Sequence, residues 1–305
     1  MSAKTASVGV DVDALKYYFQ IHGIPVERAS DEAWSLGVPR FLSLFDEVGC
    51  KATFYCVASD LVSPVARKWI QEITRQGHEV GNHSLDHDYR LTRLSDAEIY
   101  HQVSESRVQL ETVAGQPVVG FRAPGYHING TVLRAAKASG HLYDSSVFPC
   151  VPYYMAKAGV MGLMKLRGRA SRSILGTPKS LTAPRTPYVA DDEAPYRRAS
   201  TAGLQEFPIS VVAGVPLIGT AFTALGGQIS AAITRSALMI NQHLTLEFHA
   251  ADLLSINEDG LDSGLSVQPD LNISWLRKRE IYAKTLGVVN QYASFRRLDE
   301  LVERS

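Results

Sequence analysis

Two rhythms of apolar and polar positions alternate through the first half of the chain. Ser7–Val12 is a short β-branched run, and Lys51–Ala58, Glu79–Asn82, Val118–Arg122 and Tyr143–Val147 are further strand-like runs. Between them, apolar residues at helical spacing predict helices over Pro39–Val48, Pro64–Gln76 and Gly130–Ser139, with a long helix starting near Asp96. Ser95 and Glu98 form the S-x-x-E pattern, in which each side chain caps the other's backbone at a helix start. Strands alternating with helices predict a parallel sheet or barrel with helices outside it, and chemistry at the C-terminal strand ends. Val151–Ala202, rich in Pro, Arg, Tyr and small residues, breaks the rhythm and reads as a long insertion. The pattern resumes at Leu204–Val212 and Leu244–Phe248, then closes with helices over Trp275–Thr285 and Leu298–Glu303. We expect one α/β domain spanning 1–305, interrupted by an insertion at about 151–202.

Composition narrows the function. Of 305 residues, 45% are hydrophobic, enough for a substantial core. Lys plus Arg and Asp plus Glu number 31 each, so the formal net charge is +0 and no general nucleic-acid footprint is present. The three cysteines, Cys50, Cys56 and Cys150, make neither a disulfide framework nor a metal knuckle, and read as reduced interior residues. Met1–Ser7 carries no apolar leader, and Asp11 and Asp13 interrupt the first apolar run, so a cytoplasmic location is expected.

The candidate chemistry lies at predicted strand ends. Asp11 and Asp13 are two apart, so within a strand both carboxylates face one side. Such a pair needs a cation or an arginine beside it, unless the two are turn or capping residues. His83 and His87 are four apart, which places both imidazoles on one face of a helical turn. Two histidines and one aspartate make a three-ligand site with open positions for water, although a histidine pair also arises by chance. Arg122 precedes a turn set by Pro124 and Gly125; it either balances the aspartates or reaches to solvent from a strand end. Asp144 and His249 each follow a strand, His249 being either a catalytic group or a hydrogen-bonded structural one.

Together these segments resemble the polysaccharide deacetylase (NodB homology, carbohydrate esterase family 4) proteins. Five short motifs occur in that family's order: VDVD at 10–13, HSLDH at 83–87, RAPGY at 122–126, YDSS at 143–146 and FH at 248–249. Val12 separates aspartates that are adjacent in most of the family, and Gly125 is an extra residue before Tyr126. Both departures are similar to a branch of cytoplasmic peptidoglycan-deacetylase-like proteins and metal-independent allantoinase-type amidases.

The resemblance implies a distorted (β/α) barrel of about seven parallel strands. It implies that Asp13, His83 and His87 hold a divalent metal, zinc in the first instance. Asp11 would be the general base held by Arg122, a backbone N–H near Tyr126 would face the oxyanion, and His249, oriented by Asp144, would protonate the leaving amine. Ser84 and Asp86 would fix the imidazoles. The expected substrate is an N-acylated amino sugar, a glycan or a lipid-linked sugar, bearing an acetyl or formyl group. Tyr153–Arg172, with Lys157, Lys165, Arg167, Arg169 and Arg172, reads as a basic amphipathic stretch for peripheral membrane contact, or as a lid or homo-oligomer contact. An allantoinase-like amidase and a non-catalytic carbohydrate-binding protein of the same fold are the alternatives.

Overall fold

Thr5–Val12 form strand β1, of which seven residues are buried. A strand so enclosed belongs in the middle of a parallel sheet covered by helices. A computed structural model describes residues 4–166, 174–200 and 203–302. After β1 come α1 (Leu15–His22), α2 (Val38–Val48), β2 (Thr53–Cys56), α3 (Pro64–Arg75), β3 (Glu79–Asn82) and α4 (Asp96–Ala114). They are followed by β4 (Gly120–Phe121), α5 (Gly130–Ala138), β5 (Tyr143–Asp144), α6 (Val151–Leu166), β6 (Tyr188–Val189) and β7 (Gln205–Glu206). The hairpin β8–β9 (Val211–Val212, Val215–Pro216), α7 (Gly219–Leu225), α8 (Gly227–Ile240), β10 (His243–His249), α9 (Ile256–Asp259), α10 (Trp275–Tyr292) and β11 (Ser294–Phe295) complete the order.

The seven strands β10-β1-β2-β3-β4-β5-β7 lie side by side and parallel, with β6 antiparallel beyond β7 and β11 beside the start of β1. The sheet curls until its ends meet loosely. Ile209 N–H donates to Val147 O and Ser210 N–H to Thr245 O, both at 2.9 Å, joining the β5 side to β10. The result is a distorted, mostly parallel half-barrel.

Alternation along β1 sorts the side chains. Ala6, Val8, Val10 and Val12 pack in the main core with Phe41, Phe45, Phe248 and Tyr282. The opposite face holds Ser7, Gly9 and Asp11, in register with Thr245, Glu247 and His249 of β10. The barrel interior is therefore polar. Thr53 Oγ1 and Tyr143 Oη donate to the Glu79 carboxylate at 2.6 and 2.8 Å. Glycine makes room for the large interior groups: a Cβ at Gly120 would overlap the Tyr143 ring, and one at Gly9 would lie 2.7 Å from Arg122 Nη1.

Most predicted elements are present with ends shifted by a few residues, and the Ser95–Glu98 capping box is formed. Leu204–Val212 is two short strands, because Phe207–Ser210 leaves the sheet to bridge toward β10. The expected terminal helix is a single 3-10 turn at Leu298–Glu300, and Glu303 lies outside the described residues. The insertion supplies α6 and the edge strand β6; of the basic stretch, Arg167, Arg169 and Arg172 lie outside the described residues. Among the described residues, no helix is long and apolar enough to cross a membrane. The cysteines are buried and unpaired.

Gly120→Ala should destabilise the fold by about 1–3 kcal/mol, because the Tyr143 ring cannot move without breaking its bond to Glu79. A urea midpoint equal to that of the parent would contradict this packing.

Candidate active site

The strand ends deliver the polar groups to one place. Asp11 ends the inward face of β1 and Asp13 follows the strand, at 1% and 4% exposure. His83 follows β3, Arg122 follows β4 and His249 ends β10. Asp13 Oδ1 lies 3.4 Å from His83 Nε2 and 3.1 Å from His87 Nε2. Arg122 Nη1 donates to Asp11 Oδ1 at 2.6 Å. That guanidinium is fully buried, lies 4.1 Å from the centre of the Tyr55 ring, and also donates to Ser145 O and Oγ at 2.9 Å each.

The histidine pair does not sit on a helical turn. Residues 83–88 form an irregular loop, in which Ser84 and His87 adopt φ of 69° and 55°. Left-handed backbone at non-glycine residues costs free energy and needs surrounding support. Asn82 Oδ1 accepts from Ser84 N and Ser106 Oγ, and Ser84 Oγ accepts from His87 N. Ser84 thus fixes the backbone of His87 and not an imidazole. Asp86 is exposed and engaged with Gln102, so it fixes neither ring. Instead, His83 Nδ1–H donates to Arg122 O at 2.7 Å, which leaves Nε2 with its lone pair toward Asp13. The His87 ring lies against Tyr17 and Tyr89, with centroids 4.5 and 4.9 Å away.

Asp144 does not orient His249. It is fully buried, accepts from Ser146 Oγ at 2.6 Å, and lies beside Glu206. Burial and the Asp144 charge hold the Glu206 carboxyl well above its usual range, so Glu206 carries the proton and donates it to Asp144. Ser146 Oγ accepts in turn from Ala123 N at 2.8 Å, so Asp144 braces the turn behind Arg122. The carboxylate beside His249 is Glu247, whose Oε1 is 2.9 Å from His249 Nδ1. Burial alone would lower the His249 pKa, but Glu247, and then Asp13 and Asp252, hold it well above the usual value. The signal for Glu247 was present in LTLEFH: an acid two positions before a histidine in an otherwise apolar strand shares its face. Tyr126, at φ 64°, lines the site, but its N–H already donates to Ala123 O at 3.0 Å. Its amide is therefore not the free donor expected for an oxyanion.

Asp11, Asp13, His83 and His249 line one cavity of about 460 Å³, walled by Tyr18, Tyr89, Tyr126 and Tyr153. Burial would raise the Asp13 carboxyl, but His87 and His83 beside it hold it well below the usual range. Asp13 Oδ1 and both His87 nitrogens are buried without a hydrogen-bond partner. Orphaned buried acceptors converging on one point fit a cation, and Asp13, His83 and His87 present ligand atoms within 4.8 Å of one another. Asp11, Glu247 and His249 form a second such group. Arg122 balances Asp11 and the charged His249 balances Glu247, so Asp13 is the carboxylate left for a cation; one divalent ion there meets that need, whereas a second would overcharge the site. Metal analysis should therefore find about one divalent ion per chain, lost in His87→Ala. Two ions per chain would refute the charge argument.

The polysaccharide deacetylase family model matches residues 29–143, which include His83, His87 and Arg122. A peptidoglycan-N-acetylglucosamine deacetylase of Bacillus cereus is 28% identical over 104 residues, 34% of this chain and 46% of that protein. The chain thus spans under half the length of that curated relative. A crystal structure from Mycobacterium smegmatis assigned to the polysaccharide deacetylases superposes with a TM-score of 0.59 at 19% identity. That match covers 93% of this chain and 85% of the other, and it is a likeness of fold.

Proposed function

We propose that this chain, which matches the polysaccharide deacetylase family model over residues 29–143, is a deacylase of that kind and hydrolyses the N-acyl amide, acetyl or formyl, of an amino sugar with the help of one divalent metal. The observation that carries the reading is the buried meeting of an Asp–His–His group, an arginine-held aspartate and a glutamate-held histidine in one cavity. A divalent ion held by Asp13, His83 and His87, zinc in this reading, supplies polarisation of the amide carbonyl and acidifies water.

The remaining steps belong to side chains. Arg122 occupies Asp11 Oδ1 and leaves Oδ2, 3.9 Å from His83 Nε2, to take the proton of the attacking water. Glu247 keeps His249 protonated, so its Nε2–H, directed to the same cavity, reaches the leaving nitrogen. Without that proton, an amine anion would have to depart. Tyr89, Tyr126 and Tyr153 offer the aromatic faces that a pyranose ring packs against. The complete donor set favours this reading over a metal-free ureide amidase, and the acid and base beside it favour an enzyme over a sugar-binding protein.

A mass-spectrometric screen of N-acyl amino sugars, free and lipid-linked, should show loss of the acyl group. Asp13→Ala should lose metal and turnover together. Asp11→Asn should keep the metal while kcat falls about 10²–10⁴-fold. Full activity in a chelated, metal-free sample would remove the metal from the reaction. Glu247→Gln should depress amide hydrolysis by about 10-fold or more, yet spare 4-nitrophenyl acetate, whose leaving group needs no proton. Equal losses on both substrates would sink the role given to Glu247.

A further inference from the structure

The two histidines of the metal group are held in different ways. The His83 ring is fixed by a hydrogen bond from Nδ1–H to Arg122 O. Metal-binding imidazoles are usually oriented like this, through the nitrogen that does not face the ion. His87 is 2% exposed, and neither of its nitrogens has a hydrogen-bond partner. The torsion that turns an imidazole has only a broad preference, so packing must set the direction of this ring. Two tyrosines form an aromatic clamp around it. Tyr89 stands edge-on, with centroids 4.9 Å apart and planes at 90°, and Tyr17 lies 4.5 Å away, tilted by 34°. Gly125 admits the Tyr89 ring, since a Cβ there would lie 2.7 Å from Tyr89 Cδ1.

The two jaws differ in how firmly they are themselves held. Tyr89 is half-buried and lines the catalytic cavity. Tyr17, on α1 four positions after Asp13, is 2% exposed and does not line the cavity. Its Oη donates to Asp60 Oδ1 at 3.0 Å and accepts from Ser59 Oγ at 3.1 Å. Asp60 is 3% exposed and also receives Trp34 Nε1–H at 3.0 Å and the Lys16 ammonium at 2.6 Å. Donors from α1 and from the turn Ala33–Gly37 thus converge on one acid just after β2. A buried carboxylate is costly unless it is paired, and one paired this fully has little freedom to move. The same segment grips the histidine loop by its backbone. Ala58 N–H donates to Ser84 O at 3.2 Å, and Ser59 N–H to Leu85 O at 2.8 Å.

We propose that Asp60 and Tyr17 are positioning residues for the metal group: Asp60 fixes the Tyr17 ring, and that ring sets the His87 imidazole toward Asp13 and His83. Neither residue lies in the five motifs, and neither lines the cavity. The inference rests on the reading of Asp13, His83 and His87 as metal ligands, and names what orients the ligand that no hydrogen bond holds.

Cobalt(II) titration of the metal-free protein tests it, with visible absorption reporting the ligand geometry. Tyr17→Phe keeps the ring but cuts it from Asp60, whereas Tyr17→Leu removes the ring. Tyr17→Leu should raise the cobalt Kd about tenfold or more, with Tyr17→Phe between it and the parent, and both should alter the absorption bands. Each titration is run where circular dichroism shows the variant folded; if Tyr17→Leu does not fold, Tyr17→Phe decides alone. Phe45, whose ring packs on Phe41, Phe54 and His78, is the control. Phe45→Leu should lower stability and keep the parent's Kd and bands. Cobalt held by both Tyr17 variants as tightly as by the parent, with unchanged bands, would overturn the clamp and leave the metal reading standing. An equal loss in Phe45→Leu would overturn it too, by making the effect one of general stability. Loss in Tyr17→Leu but not in Tyr17→Phe would remove the part given to Asp60. No cobalt bound by the parent would remove the metal reading and the clamp with it.

Discussion

Three carboxylates, Asp11, Asp13 and Glu247, are buried at one mouth of the barrel against one guanidinium, that of Arg122, and one charged imidazole, that of His249. A low-dielectric interior tolerates that concentration of charge only if every member is held and the surplus is cancelled. The arrangement around it follows from this need. Arg122 crosses the barrel over Gly9, because any Cβ there would collide with it. Its nitrogens are shared between Asp11 and Ser145, so Asp11 and the YDSS segment are tied to one cation. What remains is the Asp13 carboxylate beside two imidazoles, with both His87 nitrogens partnerless, which is the environment of a divalent ion.

The acids divide the labour by environment. Asp144 and Glu206 share a proton deep in the wall and serve mechanically, bracing the turn behind Arg122 through Ser146. Glu247, one strand from Asp11, faces a histidine and so keeps that ring charged. In the proposed reaction, buried carboxyls thus end as a rigid brace, a proton acceptor and a partner for a proton donor. In each case the neighbouring strand, and not the residue type, assigns the task.

The insertion is more than decoration of the barrel. Its first helix, α6, closes one side of the cavity with Tyr153, Ala156, Lys157 and Met161. The strand ends supply the chemistry, while the segment between β5 and β7 contributes to the shape and charge of the space beside it. A barrel can keep its reaction and change its ligand by altering such a segment.

How much of this was legible in the sequence depends on the range of the interactions. Local rules fixed the β–α alternation, the Ser95–Glu98 cap and the shared face of Asp11 and Asp13, because backbone periodicity acts over a few residues. The five motifs marked the strand ends that matter. Tertiary structure alone decided that the His83–His87 segment is a strained loop, since Asn82 and Ser106 must hold it. It also decided that Glu247 rather than Asp144 faces His249, and that Lys157 of the insertion reaches the cavity. Those outcomes depend on strand order and register, which join residues far apart in the chain, and no local pattern carries that information.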